Sequence, residues 1–209
     1  MDGGMKKLLI AMFVALLMAG CGGDTKKPGG NSPESNQSSG EVAKIDLDDP
    51  ETRKRIIAEA IAVEKFQKRD ETGDELAYAP NEQTPYSGWE KEMHDNGTIW
   101  WLSQWKDGKK NGLWTWWHGN GQKSMEENYR DGKRDGLETE WFENGQKELE
   151  ANYKDGKQDG LETGWYQNGQ KEYGGNWKDG KQDGLWIFYN EDGTEKSRLT
   201  FKDGEEVED

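Results

Sequence analysis

Few residues in this chain have side chains suited to catalysis, and its two histidines are the first candidates. His94 and His118 are 24 positions apart, and the sequence around them repeats at the same interval. Equivalent positions of neighbouring two-stranded repeats lie roughly 10 Å apart, whereas zinc ligands bind within about 2 Å of a shared ion. The spacing therefore predicts neither a zinc site nor a catalytic pair. We expect the protein to use no metal ion and no cofactor.

Aspartate–glycine pairs recur with the same 24-residue period and are the second candidates. The pairs are Asp107-Gly108, Asp131-Gly132, Asp155-Gly156 and Asp179-Gly180. Carboxylate-rich turns can bind Ca²⁺, but a lysine follows each of these glycines and opposes a cation. Asp-Gly is also a typical hairpin turn, because both central positions of a type I′ turn need positive φ. We interpret the pairs as structural turns, with calcium binding as the alternative.

Aromatic residues that break the repeat are the stronger candidates for a binding site. Trp114 and Trp116 stand where Glu138 and Glu140 stand one repeat later. Exposed aromatic patches often mark binding sites. The predicted binding face consists of Trp100, Trp114, Trp116, Trp186 and Phe188. The alternative is that the N-terminal helix lies over the rings of Trp114 and Trp116 as part of the core.

The elements that must position these residues follow from the repeat. Residues 88–209 contain five units of 24 residues, which begin at Gly88, Gly112, Gly136, Gly160 and Gly184. Each unit has two segments rich in aromatic and β-branched residues, separated by glycine-containing turns, as expected for β-hairpins. We predict an all-β repeat array: a single-layer antiparallel meander of about five 24-residue hairpins, preceded by a short α-helix.

Alternation along the strands predicts the two faces of this sheet. One face is expected to be the core, with Leu113, Thr115 and Trp117, their equivalents in later units, and the second-strand aromatics. Those aromatics are Trp105, Tyr129, Tyr153, Trp177 and Phe201. The opposite face is expected to be solvated, with Glu138, Glu140 and Glu162 in its middle and the candidate binding aromatics at its two ends.

Residues 45–87 predict a helix and a connector. Asp48-Asp49-Pro50-Glu51 is typical of a helix start, because aspartate caps and proline is tolerated in the first turn. Apolar residues from Ile56 to Phe66 follow at helical spacing, which predicts a helix end between positions 68 and 71. We expect the helix to cover one face or one end of the repeat sheet. A partner-binding helix is the alternative.

The N-terminus predicts export and lipidation. Residues 1–20 have the charge pattern, apolar core and small residues of a signal peptide. The segment Leu17-Met-Ala-Gly-Cys21 resembles the lipobox of bacterial lipoproteins, which implies that Cys21 carries a lipid. Residues 21–44 then form a lipidated flexible tether. Gly22 in place of aspartate favours the outer membrane of the cell envelope, and an ordinary cleaved signal is the alternative.

The charge of the chain excludes one class of partner. The formal net charge is −14, and residues 88–209 alone carry 17 basic and 27 acidic side chains. Nucleic-acid binding relies on neutralising phosphates with basic residues, so we expect no nucleic-acid partner. An anionic membrane surface is disfavoured for the same reason, which leaves the lipid anchor as the expected membrane contact.

The sequence motif that recurs every 24 residues resembles a known repeat family. The pattern aromatic-x-Asp-Gly-Lys-x-Asp/Asn-Gly-Leu, with Asn-Gly-Gln-Lys half a unit later, resembles the MORN repeat over about residues 84–205. More narrowly, it is similar to the variant in the bacterial YwqK family of toxin–antitoxin antitoxins. The resemblance implies an elongated, twisted sheet and a non-enzymatic role as a scaffold or contact surface.

Three functions are compatible with these features. The first is a membrane-anchored lipoprotein that catalyses no reaction and whose repeat sheet binds another protein. The second is a module that binds glycan or peptidoglycan through exposed tryptophans. The third is an antitoxin, which requires a cytoplasmic form of the chain.

Overall fold

The computed structural model describes residues 45–71 and 74–208. The predictions of a signal peptide at residues 1–20, a lipid on Cys21 and a tether up to residue 44 lie outside the described residues. Within the described part of the chain, no helix has the length and apolar character needed to cross a membrane.

The N-terminal segment contains one helix and a small hairpin. Its elements are α1 (Pro50–Glu59), β1 (Ile61–Ala62), a 3₁₀ turn (Val63–Lys65), β2 (Gln67–Glu71) and β3 (Asp74–Tyr78). The Asp49 carboxylate caps α1 by accepting the Thr52 N–H at 2.7 Å. The helix ends at Glu59, and its C-cap is Ala60, whose N–H donates to Ile56 O and whose backbone is extended.

The helix is therefore shorter than predicted, and the prediction of its end near position 70 is wrong. Ile61 and Ala62 leave the helix to pair in parallel with Glu90 and Lys91 at the edge of the main sheet. The next residues form the antiparallel β2–β3 pair. Backbone pairing with a distant strand outweighs the local helical pattern, because an open sheet edge offers unpaired backbone groups.

Ten long strands make the repeat domain, two for each unit. They are β4 (Gly88–Met93), β5 (Ile99–Lys106), β6 (Lys109–Trp117), β7 (Lys123–Arg130), β9 (Gly136–Trp141), β10 (Lys147–Lys154), β11 (Lys157–Trp165), β12 (Lys171–Lys178), β14 (Gly184–Tyr189) and β15 (Glu195–Lys202). Three short strands accompany them: β8 (Lys133–Arg134), β13 (Lys181–Gln182) and β16 (Glu205–Val207). Consecutive long strands pair antiparallel in chain order within one sheet. The predicted all-β antiparallel meander is confirmed.

The Asp-Gly pairs turn the chain between units. Asp131 has φ 49° and Gly132 φ 83°, and the other pairs have similar values, as a type I′ turn requires. Each turn is also tied to the preceding unit, since Gly132 N–H donates to Lys110 O and Gly156 N–H to Arg134 O, both at 2.8 Å. The turns therefore join neighbouring units as well as neighbouring strands.

One face of the sheet carries the helix, and we call it the helix face. A buried cluster there joins α1 to the first units through Leu47, Ile56, Ala60, Ile99, Leu102 and Trp117. Beyond these units the face is open: Leu137, Leu161 and Leu185 are 44, 55 and 43% exposed. The prediction that these leucines form a continuous core is wrong, because no described element lies over them.

The opposite face, which we call the tryptophan face, differs from the prediction in two ways. The second-strand aromatics belong to it, since Tyr129 pairs with Gly112 and Trp114 with Glu127. Its glutamates are also buried and not solvated, with Glu127, Glu138 and Glu162 at most 8% exposed. The large rings beside these carboxylates cover them, so this face has a packed layer of its own.

Candidate functional site

One ring cluster on the tryptophan face is formed by strands β5, β6 and β7. Trp101 pairs with Trp116, and Trp116 with Met125, so their side chains point to the same side. Ring centroids lie 5.8 Å apart for Trp101–Trp114, 5.3 Å for Trp114–Trp116 and 5.3 Å for Trp114–Tyr129. The Trp101 and Trp114 planes are nearly parallel, at 12°.

A cavity of about 590 Å³ opens beside these rings, and we call it the tryptophan cleft. It is lined by Lys110, Trp114, Trp116, His118, Ser124, Met125, Glu127, Tyr129, Arg134, Glu140, Trp141 and Glu148. A neighbouring cavity of about 470 Å³ shares Glu140 and Glu148 with it and continues past Leu149 to Tyr173. The two carboxylates therefore lie where the two cavities meet.

Two cations of the protein sit in the cleft. The Lys110 ammonium lies 3.3 Å from the centroid of the Trp114 ring and 4.9 Å from that of Tyr129. Burial lowers the pKa of Lys110 to about 8, while the Glu127 carboxylate opposes that change. Arg134 binds Glu127 at 2.6 Å and Glu138 at 3.4 Å, and its guanidinium lies 5.0 Å from the Tyr153 ring.

The carboxylates of the cleft fall into two kinds. Glu127 is neutralised by Arg134; burial raises its pKa, and hydrogen bonding from Tyr129 and the charge of Arg134 offset part of the rise. Glu140 and Glu148 have no ion pair among the described residues. Burial, followed by the effect of Glu138 and the charge of Glu148, raises the pKa of Glu140 to about 7.

Buried carboxylates outside the cleft have structural partners. Glu90 accepts the Ser103 hydroxyl at 3.0 Å and the Trp105 indole N–H at 2.9 Å. Glu162 accepts the Gln158 amide at 2.6 Å. These partners satisfy the two side chains within the sheet, so neither is a candidate for ligand binding.

Trp114 and Trp116, which the sequence predicts as binding residues, are half-buried and line the cleft. The alternative that the N-terminal helix lies over them is wrong, because α1 packs on the helix face against Leu102 and Trp117. Both rings thus stay open to the cavity.

Trp100 does not belong to the cleft. It is the extra residue of a β-bulge, since Ile99 pairs with Met93 and Trp101 with Glu92. Its ring is 43% exposed and lies 5.8 Å from that of His94. Trp101, which the sequence analysis missed, takes the place beside Trp114. An alignment of the units would have identified Trp101, because it occupies the position of Met125 one repeat earlier. Both residues pair with Trp116, one on each side.

Trp186 and Phe188 form a closed cluster at the far end of the same face. Trp186 is 2% exposed, so the prediction that it belongs to an exposed binding face is wrong. A Cβ on Gly175 would lie 2.2 Å from the Trp186 ring, which shows how closely the ring covers that backbone. Four rings surround Trp186, with centroids at 5.7 Å for Trp177, 6.0 Å for Tyr173, and 6.4 Å for Phe188 and Phe201.

The histidines bind backbone oxygens. His94 Nε2 lies 2.9 Å from Trp117 O and His118 Nε2 2.8 Å from Trp141 O, and the Tyr166 hydroxyl donates to Tyr189 O in the same way. Within residues 45–71 and 74–208, no three His, Cys, Asp or Glu side chains are arranged to hold a metal ion. These contacts link adjacent units.

The tryptophan cleft lies within a known type of sequence repeat. Residues 110–131 and 134–155 match the family model of the MORN repeat variant, as two adjacent repeats. Among curated proteins, none matches the chain. All twelve residues that line the tryptophan cleft lie within these two matched segments. The chain therefore contains two adjacent repeats of the MORN variant, which indicates a repeat-based binding or scaffold role.

Proposed function

We propose that the protein is a lipid-anchored binding module that catalyses no reaction and that holds another protein in the tryptophan cleft. The observation that carries the proposal is the cluster of Trp101, Trp114 and Trp116 beside an open cavity of about 590 Å³. Tryptophan supplies much of the binding energy at protein interfaces. Rigid strands hold the three rings, so little ordering is needed when a partner binds.

Two further features support a protein partner. The cleft combines apolar rings with charged groups of both signs, Lys110 and Arg134 among Glu127, Glu140 and Glu148. It also continues into a second cavity past Leu149, which gives an extended segment of a partner room to lie along the face. Repeat arrays commonly present such extended surfaces.

The test is crosslinking of the full-length, tagged protein in its own cells, followed by recovery and identification of attached proteins. We expect a defined partner with the wild type and its loss with the double variant Trp114→Ala/Trp116→Ala. Trp100→Ala is the matched control, because Trp100 is exposed and lies outside the cleft. Equal recovery from all three proteins would place the partner elsewhere on the molecule.

The proposal includes anchoring to the cell envelope through Cys21, with the outer membrane as the expected site. Radiolabelled palmitate should label the wild type and not Cys21→Ser. Membrane fractionation should move the variant to the soluble fraction. A wild-type protein that takes up no label would contradict the anchor and leave the binding proposal standing.

A glycan is the second candidate ligand, and the partly exposed Trp114 and Trp116 rings that line the cleft are the observation that favours it. Flat rings can stack on sugar rings, and nearby carboxylates can accept sugar hydroxyls. Insoluble peptidoglycan should then deplete the protein from solution, and Trp114→Ala/Trp116→Ala should remain in the supernatant. Absence of wild-type depletion would exclude this ligand.

The antitoxin function remains a prediction of the sequence resemblance. It requires a toxic partner protein that loses its toxicity when this chain is co-expressed in the cytoplasm. Growth of cells that express each candidate partner alone and together with this chain tests it. Unchanged toxicity would exclude the role.

A further inference from the structure

We propose that the tryptophan cleft binds a cationic side chain, a lysine or an arginine of a protein segment, between the Trp116 ring and the carboxylates of Glu140 and Glu148. This inference rests on the proposed function, since it assumes that a partner protein occupies the cleft. It adds the chemistry by which the cleft recognises that partner.

The strand register places Trp116, Met125 and Glu140 side by side on the tryptophan face. Met125 pairs with Trp116 on one side and with Glu140 on the other. Trp116 and Glu140 therefore stand on the same face, two strand spacings or roughly 10 Å apart. A long side chain that lies across Met125 has an aromatic ring on one flank and a carboxylate on the other.

Charge complementarity selects a cation for this space. Neither Glu140 nor Glu148 has an ion pair among the described residues, although both line the cavity. The nearby Arg134 is already held by Glu127 and Glu138. The lysine closest in sequence, Lys147, pairs with Glu150 instead. The described part of the chain thus leaves two carboxylates of the cleft without a counter-charge.

The cleft already holds one ammonium on an aromatic ring. Lys110 Nζ lies 3.3 Å from the centroid of Trp114, a geometry in which the negative face of the ring attracts the cation. Trp116 lies only 5.3 Å from Trp114 but has no such cation over its ring among the described residues. The site that we propose repeats the Lys110–Trp114 arrangement with a cation from outside.

The protonation of Glu140 supports the assignment and predicts how binding depends on pH. Burial, followed by the neighbouring Glu138 and the charges of Glu148 and Glu127, raises the pKa of Glu140 to about 7. The other titratable groups that line the cleft are Lys110, His118, Tyr129 and Arg134. An arriving cation favours the ionised carboxylate. Binding should therefore release a proton near neutral pH and weaken as the pH falls below about 7.

The probe for the test is tetralysine acetylated only at its N-terminal amine, so that all four side chains stay cationic. It is added to the full-length protein in detergent, and binding is followed by calorimetry. The comparison probes are tetraglutamate and chitotetraose. We expect tetralysine to bind the wild type. The double variant Glu140→Gln/Glu148→Gln should lower the affinity for tetralysine roughly tenfold, because it removes close charge partners. The control is Glu205→Gln/Glu206→Gln, which removes the same charge from exposed positions of β16 and should retain most of the affinity.

Each result decides between the alternatives. Failure of tetralysine to bind, or an equal loss in the two glutamate variants, overturns the inference, since the latter would reflect net charge alone. Binding that Trp114→Ala/Trp116→Ala abolishes but Glu140→Gln/Glu148→Gln leaves intact also overturns it, while the proposed protein-binding function stands. Preference for chitotetraose would point to the glycan ligand. Thermal melting of each variant verifies that the fold is intact.

Discussion

Trp114 and Trp186 occupy the same position of their units, yet one lines an open cavity and the other is buried. The equivalent residue is Glu90, Glu138 or Glu162 in the other units. Ser103 and Glu127 flank Trp114 across the strands, and the Trp114 ring lines the tryptophan cleft. Trp186 lies flat on Gly175, which has no side chain. Gly175 occupies the position that Ser103 occupies beside Trp114, three units earlier, so the two tryptophans differ in the residue on the preceding strand.

The largest expected difference between the two tryptophans is in stability. Trp186→Ala should lower the free energy of unfolding by about 3–5 kcal/mol, since it removes a buried ring and leaves a cavity. Trp114→Ala should cost less, because the Trp114 ring is only partly buried and lines the cleft. Urea unfolding followed by circular dichroism measures both. Equal losses would mean that the two clusters are equally packed.

Gly175→Ala should destabilise the closed cluster by about 1–3 kcal/mol, the usual cost of overpacking. The added Cβ would lie 2.2 Å from the Trp186 ring. Gly174→Ala is the matched control, because a Cβ there meets no atom closer than 3.5 Å. Urea unfolding should separate the two variants. A neutral Gly175→Ala would show that the ring can move away.

The Glu140 carboxyl in the cleft should titrate near neutral pH. The pKa of Glu140 is raised to about 7 from an ordinary 4.5, so the folded state holds the proton more tightly and stability falls as pH rises between these values. Glu140→Gln should therefore stabilise the protein above pH 7, by up to about 1 kcal/mol once solvent screening is allowed for. Melting temperatures at pH 5 and pH 8 measure this, with Glu205→Gln as the control.

The smallest effect is expected on the uncovered part of the helix face. Leu161 is 55% exposed, so Leu161→Ser should change stability by no more than about 0.5 kcal/mol. Leu102, fully buried beneath α1, should lose about 2 kcal/mol or more when replaced by serine. A large loss at Leu161 would indicate that another surface covers the leucine row in solution.

The repeat made the strands and turns predictable from sequence. The 24-residue period and the Asp-Gly pairs locate all ten long strands. The face on which the second-strand aromatics lie was also predictable, although the prediction that they share the face of Leu113 is wrong. A two-residue turn pairs odd positions with even ones, as in Tyr129 with Arg134. Tyr129 therefore had to share a face with Glu138 and not with Leu113.

Other features depend on contacts that the local sequence does not reveal. The end of α1 is set by pairing of Ile61 with Glu90, which is far away in the chain. The burial of Trp186 depends on Gly175, which comes beside it only through the strand register. The cleft was predicted in part, since the substitution of Glu138 and Glu140 by tryptophans one repeat earlier pointed to Trp114 and Trp116. The contributions of Glu140, Glu148 and Lys110 required the structure.

The hydrogen bonds that tie each turn to the preceding one make the length of the sheet adjustable. Gly132, Gly156 and Gly180 all donate to the backbone one unit earlier. An internal duplication of 24 residues can therefore join the array through the same hydrogen bonds that already link its units. Each duplication adds two strands, or roughly 10 Å. A gene that gains or loses one unit beyond the cleft would change the reach of the molecule while its binding site stays the same.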